Sequence, residues 1–187
     1  MSKYRGAGTT TDQAAGLGRL PLAVLYLFAT FLGVALGAGL YEGRIVVPQW
    51  IVPTGGGHVW DADAAVRADT GRRFWVYVTT VPLTLLTVAS LVLAFRYRGP
   101  GHRWWRAAAV VALADRVFTF AYFIPTLLRL MGGELPQPQA VELALQWQRL
   151  DVVRDALSAV AFLSALAGLV LVRVEVPDGR SATAARA

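Results

Sequence analysis

The chain has 187 residues, 56% of them hydrophobic and 16% charged, with a mean hydropathy of +0.49. Soluble domains run about 45–50% apolar and about 25% charged, so this balance points to a protein that sits in a bilayer. With no cysteine there can be no disulfide, thiolate metal site or catalytic thiol, and the net charge of +6 reads as a topology signal rather than a nucleic-acid partner.

A spanning helix needs about 20 mostly apolar residues. Four segments qualify, at 20–41, 74–95, 105–130 and 150–172. The predicted fold is all-α: an integral membrane four-helix bundle with a long outer loop between the first two helices. Residues 1–19 form an arm and 173–187 a tail.

The first helix carries Tyr26, Thr30, Gly33, Gly37 and Tyr41 at one-face spacing. Its Gly33-xxx-Gly37 predicts close helix packing, within the bundle or between protomers of a homo-oligomer. Ala35-Leu36-Gly37 faintly resembles a leader cleavage site, but the apolar run before it exceeds the usual 7–15 residues, so the helix is read as uncleaved. In the loop 42–72, Pro48 and Pro53 break the chain and Gly55-Gly56-Gly57 loosens it. Residues 60–69 predict a short surface helix with an acidic first turn.

The second helix carries Arg73, Tyr77, Thr80, Thr84 and Thr87 at the same spacing, and a short basic turn, 96–104, follows. The third contains ALADRVFTFAYFIPTLLRLM, residues 112–131, with Asp115 and Arg116 deep in an apolar run. An ion at mid-bilayer costs about 2.5–3.5 kcal/mol on insertion scales, so it needs a partner. The two side chains leave the helix about 100° apart, which predicts that at least one reaches across to another helix. From Asp115, one face gives Thr119, Tyr122, Thr126 and Arg129. A Pro/Gln-rich loop, 131–147, leads to the fourth helix, whose outer end shows Trp147, Asp151, Arg154, Asp155 and Ser158.

Lipid cannot satisfy these polar stripes, so they are expected to face each other. Alternating helix direction then gathers Tyr41, Glu42, Arg73, Tyr77, Tyr122, Arg129, Asp151, Arg154 and Asp155 in the outer half. The expected feature is a pocket there, floored by Asp115, Arg116 and Thr119, near the helix interruptions at Pro82 and Pro125. The competing expectation is that these charges only fix helix packing. A carrier role would need polar continuity through the inner half, which reads as apolar at Val110, Val111 and Leu113.

Basic residues set the orientation. Lys3, Arg5, Arg19, Arg96, Arg98, Arg103, Arg106, Arg173, Arg180 and Arg186 fall on one side, predicting a multi-pass protein of a bacterial-type plasma membrane with both termini cytoplasmic. Trp75, Trp104 and Trp105 fall where interfacial aromatics belong. The two histidines, His58 and His102, lie in loops on opposite sides, so no metal and no haem ligation is expected. There is no nucleotide-binding Gly-rich loop and no serine nucleophile elbow.

Three stretches occur in a familiar order: Gly39-Leu-Tyr-Glu-Gly-Arg-Ile-Val-Val-Pro48, Tyr122-Phe-Ile-Pro-Thr126 and Trp147-Gln-Arg-Leu-Asp-Val-Val-Arg154. Over residues 20–172 the chain resembles the anthrone-oxygenase-like family of small four-helix membrane proteins. That resemblance implies oxidation of an activated phenolic carbon acid by O2 without a cofactor. It implies a base at Asp155, Asp151 or Glu42, and oxyanion stabilisation by Arg154 and Tyr122. Tyr41, Tyr77, Thr119, Thr126, Trp147, Asp115 and Arg116 would complete the ligand site. The expected partners are membrane lipid and a lipophilic small molecule.

Overall fold

The computed structural model describes residues 17–174, with the side chains of Arg173 and Val174 excepted. Lys3, Arg5, Arg180 and Arg186 of the expected cytoplasmic flanks lie outside the described residues. Four helical runs are long and apolar enough to cross a membrane: Arg19–Trp50, Gly71–Arg96, His102–Met131 and Gln137–Val172. They are called here the first to fourth spans.

The first span is helix α1 (Arg19–Tyr41), a π-helical turn (Glu42–Val46) and a 3-10 turn (Val47–Trp50). A hairpin follows, β1 (Ile51–Thr54) against β2 (Gly57–Trp60), with Ile51 opposite Trp60. Helix α2 (Ala62–Ala68) is capped by Asp61, whose side chain accepts from Ala64 N at 2.8 Å. The second span is a π-helical segment (Gly71–Thr80) running into α3 (Val81–Arg96). The third is α4 (His102–Phe118), a π-helical turn (Thr119–Phe123) and α5 (Ile124–Met131). The fourth is a single helix, α6 (Gln137–Val174).

Helix α1 packs on α3 and α6, and α4 packs on the same two. Consecutive spans are therefore neighbours and the last closes on the first, as in an up-and-down bundle. Its two ends differ. The hairpin end carries β1, β2 and α2; the turn end carries the connection from α3 to α4.

Each of three π-helical stretches ends just before a proline: Pro48, Pro82 and Pro125. Proline has no N–H and its ring clashes with the carbonyl four residues back. A widened i→i+5 turn absorbs that clash without breaking the span. These stretches also rotate the helix faces, so a 3.6-residue count carried across them misplaces side chains. Tyr77 is 72% exposed although Thr80 and Thr87 of the same expected stripe are buried.

Two apolar cores form, one towards each end. The turn-end core is rich in alanine, including Ala29, Ala94, Ala108, Ala112, Ala161 and Ala165, around Leu25, Phe28 and Trp105. Small residues let helix backbones approach closely. Gly101 (φ +73°) makes the tight entry to α4, and a Cβ there would stand 2.7 Å from the Gly168 carbonyl of α6. Arg106 closes the end of α3 by donating to the carbonyls of Ala94 at 2.9 Å and Tyr97 at 3.1 Å.

The hairpin-end core holds Trp50, Trp60, Phe123, Leu130, Ala140, Ala144 and Trp147. The fourth span starts well before the expected residue 150, because Gln137 docks on the hairpin. Its amide accepts from Trp60 N at 3.0 Å and donates to Trp60 O at 3.2 Å, as a neighbouring strand would. Pro138 sits in the first helical turn, where its missing N–H costs nothing. Of the expected interfacial tryptophans, Trp104 is exposed, whereas Trp105 is 1% exposed in the core and Trp75 turns partly inward.

Candidate functional site

Between the two apolar cores lies a layer of buried polar side chains drawn from all four spans. Glu42, Thr80, Asp115, Arg116, Thr119, Asp151 and Ser158 are each less than a tenth exposed. Arg154 and Asp155 are half-buried beside them. The three π-helical stretches meet this layer and contribute Glu42, Thr80 and Thr119 to it.

Two ion pairs hold the arginines. Arg116 folds back on its sequence neighbour: its Nε donates to Asp115 Oδ2 at 3.2 Å and its Nη2 pairs with the same oxygen. This corrects the expectation that one of the two reaches across to another helix. Three methylenes are enough to bring the guanidinium round the 100° between adjacent side chains. Arg154 Nη2 lies 2.7 Å from Asp151 Oδ1, one turn earlier on α6. Its guanidinium also lies over two rings, 4.7 Å from the Phe123 ring centre and 5.5 Å from that of Trp75. Such cation–π contacts replace part of the lost hydration.

Both arginines line a partly open chamber of about 70 Å³. Two carboxylates, Glu42 and Asp155, face the same space. Glu42 accepts a hydrogen bond from Thr70 Oγ1, with the Trp75 indole beside it. Arg44 stands close enough to Asp155 to act on it electrostatically. Thr80, Thr119 and Ser158 add hydroxyls to the wall, and Trp75, Phe123 and Trp147 add rings. Trp147 is fixed by donating Nε1 to the Phe123 carbonyl at 3.3 Å. Thr119 Oγ1 and Asp115 Oδ1 are buried without a hydrogen-bond partner. An unmet buried polar atom of this kind costs about 1–3 kcal/mol.

The expected residues therefore divide. Glu42, Arg116, Thr119, Trp147, Arg154 and Asp155 line the chamber. Asp115 and Asp151 stand behind it, each holding an arginine. Tyr122 is half-buried and stacks on Phe118 with ring centres 5.8 Å apart, beside the buried Thr126; neither lines the chamber. Tyr41 and Tyr77 are 62% and 72% exposed, so the structure does not bring them to the site. Arg73 and Arg129 are also exposed. Thr30 turns outward and satisfies its own hydroxyl by donating to the Tyr26 carbonyl at 2.9 Å.

Outside the expected site residues lie Trp75, expected as an interfacial aromatic and turned inward by the phase of the π-helical segment, and the pair Gly39 and Gly43. A Cβ on Gly43 would lie 2.6 Å from Asp151 Oδ2, and one on Gly39 would lie 3.0 Å from Asp155 Oδ1. The two glycines lie four apart on the first span and the two aspartates four apart on the fourth, so bare backbone meets carboxylate twice. The i,i+4 match was the available signal. Of the glycines expected to pack closely, Gly33 packs on Phe162, whereas Gly37 is exposed with open space around it.

Among the described residues no three His, Cys, Asp or Glu side chains are placed to hold a metal ion. His58 lies in β2, and His102 opens α4 with Nδ1 3.0 Å from the Gly99 carbonyl.

The family model described as Anthrone oxygenase matches residues 62–164, more than half of the chain. The matched stretch contains Trp75, Arg116, Thr119, Arg154 and Asp155 of the chamber, whereas Glu42 precedes it. No curated protein and no solved structure matches the chain. With four apolar helices of spanning length and a family match across three of them, the chain belongs to the anthrone oxygenase family.

Proposed function

We propose that the chain binds a lipophilic phenolic or quinone-like molecule with its oxygen-bearing end in the chamber, and oxidises an activated ring carbon of it with O2, without a cofactor. One observation carries this reading: two arginines and two carboxylates face a single space between apolar cores. In an anthrone the acidic carbon is a methylene between two aryl rings, across the central ring from the ketone, and the enol tautomer carries one of its hydrogens on the oxygen instead. Asp155 or Glu42 takes that proton from the oxygen, the end that enters the chamber. The resulting anion is shared between the oxygen, where Arg154 and Arg116 stabilise it, and the ring carbon. The anion passes electrons to O2; one oxygen atom ends as the new carbonyl and the other leaves as water. Asp151 and Asp115 act at one remove, by positioning the arginines. The working protein is placed in a bacterial-type plasma membrane with the turn end and both termini cytoplasmic, as the basic residues of that end favour.

The test is conversion of anthrone to anthraquinone under air by protein in phospholipid nanodiscs, against empty nanodiscs. Formation well above the empty-disc rate, lost in Asp155→Asn or Glu42→Gln, supports the reading; equal rates with and without protein refute it. A second reading, a non-enzymatic membrane subunit whose charges only specify packing, is favoured by the closed Asp115–Arg116 and Asp151–Arg154 pairs. It predicts no turnover and loss of folding rather than of activity in the same variants.

A further inference from the structure

The chamber is too small for a ring system. A cavity that holds one benzene ring measures about 150 Å³, so 70 Å³ suits one oxygen end or a diatomic gas, not fused rings. Beside it, however, lies a groove of about 550 Å³ between the second and third spans, within the range of about 300–1,000 Å³ usual for small-molecule sites. Its walls are Val76, Ile124, Leu127, Leu128 and Met131. Towards the hairpin end it is bounded by the Asp69–Arg72 ion pair, 3.0 Å long. Gly71, Trp75, Thr80, Ile124 and Leu127 line both the groove and the chamber, so the two spaces share a wall. Nothing lies within 4 Å of where a Gly71 Cβ would be, so that part of the shared wall is unfilled.

The widened backbone explains why the groove exists. α3 and α4 pack closely towards the turn end, whereas the Gly71–Thr80 segment and α5 leave the groove between them. Val76 and Leu128, on its walls, are 38% and 63% exposed on the flank of the spans, where lipid would lie.

We propose that this groove binds the fused-ring body of a flat aromatic ketone or phenol entering sideways from the bilayer, with its oxygen end passing Gly71 and Trp75 into the charged chamber. The inference rests on the reading of the chamber as a ligand site and adds where the rings lie and how they arrive. An apolar wall of this size accepts either rings or a lipid acyl chain. Contiguity with two arginines selects the molecule that ends in an oxygen, because an acyl chain presents no polar group there.

The test uses anthraquinone in nanodiscs. Its excited carbonyl abstracts hydrogen from adjacent C–H bonds, so it labels what it touches. Labelling within 72–80 and 124–131, removed by excess anthrone, is the expected result. Gly71→Leu and Leu128→Trp, which fill the doorway and the groove, should each weaken probe binding about tenfold or more. Leu128→Ala, which only widens the groove, should not. Labelling confined to other segments, or equal weakening by Leu128→Ala and Leu128→Trp, overturns the inference. If the filled variants bind like wild type while Arg154→Ala does not bind, the groove is wrong and the chamber stands. If Arg154→Ala also binds like wild type, both fall. A photoreactive acyl chain that labels the groove and is not displaced by anthrone assigns it to lipid and likewise overturns the inference.

Discussion

Removing the Asp151 carboxylate takes the ion-pair partner from the Arg154 guanidinium and leaves Asp155 and Glu42 to act on it from farther off. The two side chains are 4% and 12% exposed and 2.7 Å apart, so solvent screens their pairing little. Breaking a buried pair costs about 3–5 kcal/mol, most of it from the charge left behind. Arg154 keeps its contacts with Phe123 and Trp75, each worth up to about 2 kcal/mol when desolvated, which places Asp151→Ala at the lower end, about 3 kcal/mol. Arg154→Leu loses those contacts too and leaves Asp151 among Asp155, Glu42 and Asp115, placing it at about 4–5 kcal/mol. The double variant removes both charges and should cost less than the sum, with a coupling of about 2–3 kcal/mol. Unfolding in mixed micelles by sodium dodecyl sulfate, followed by tryptophan fluorescence, measures all four corners of the cycle. A coupling below about 0.5 kcal/mol would refute the claim that this pair is buried and mutually dependent.

Gly43→Ala should displace Asp151 and cost about 1–3 kcal/mol in the same unfolding assay, whereas Gly37→Ala, with open space around it, should be neutral or stabilise by about 0.5–1 kcal/mol. Tyr41→Phe and Tyr77→Phe, at positions more than half exposed, should change stability by no more than about 0.5 kcal/mol and leave probe binding unaltered; lost binding in either would put those rings back at the site. Because the chain has no cysteine, single cysteines report orientation cleanly. Gly56→Cys should react with an impermeant maleimide on intact cells and Arg98→Cys only after permeabilisation, and the reverse pattern would invert the topology.

The four spans were legible because length and apolar content alone decide whether a segment can cross a membrane. So were the inward residues of the fourth span, since α6 is an uninterrupted α-helix and the 3.6-residue count holds from Trp147 to Ser158. The second span misled where its backbone is π-helical: there the same count turned Tyr77 inward on paper and hid Trp75. The early start of α6 was hidden because Gln137 is anchored by a strand more than seventy residues away in sequence. The Asp115–Arg116 pairing stands in the sequence only as one of two alternatives, because backbone directions about 100° apart do not fix the reach of a long side chain. Gly39 and Gly43 carry no chemistry of their own, and their four-residue spacing, matched by Asp151 and Asp155, is the one sign of these contacts in the sequence.

The central claim is that the charged layer is a ligand site and not packing alone. Native mass spectrometry of the protein released from nanodiscs loaded with anthraquinone tests it most directly, with the Arg154→Ala variant and its unfolding curve alongside. A one-to-one adduct on the wild type, absent from a folded Arg154→Ala, is the predicted result. A wild-type protein that carries only phospholipid, with Arg154→Ala unfolded, would contradict the claim and leave the two ion pairs as devices that fix how the four helices pack.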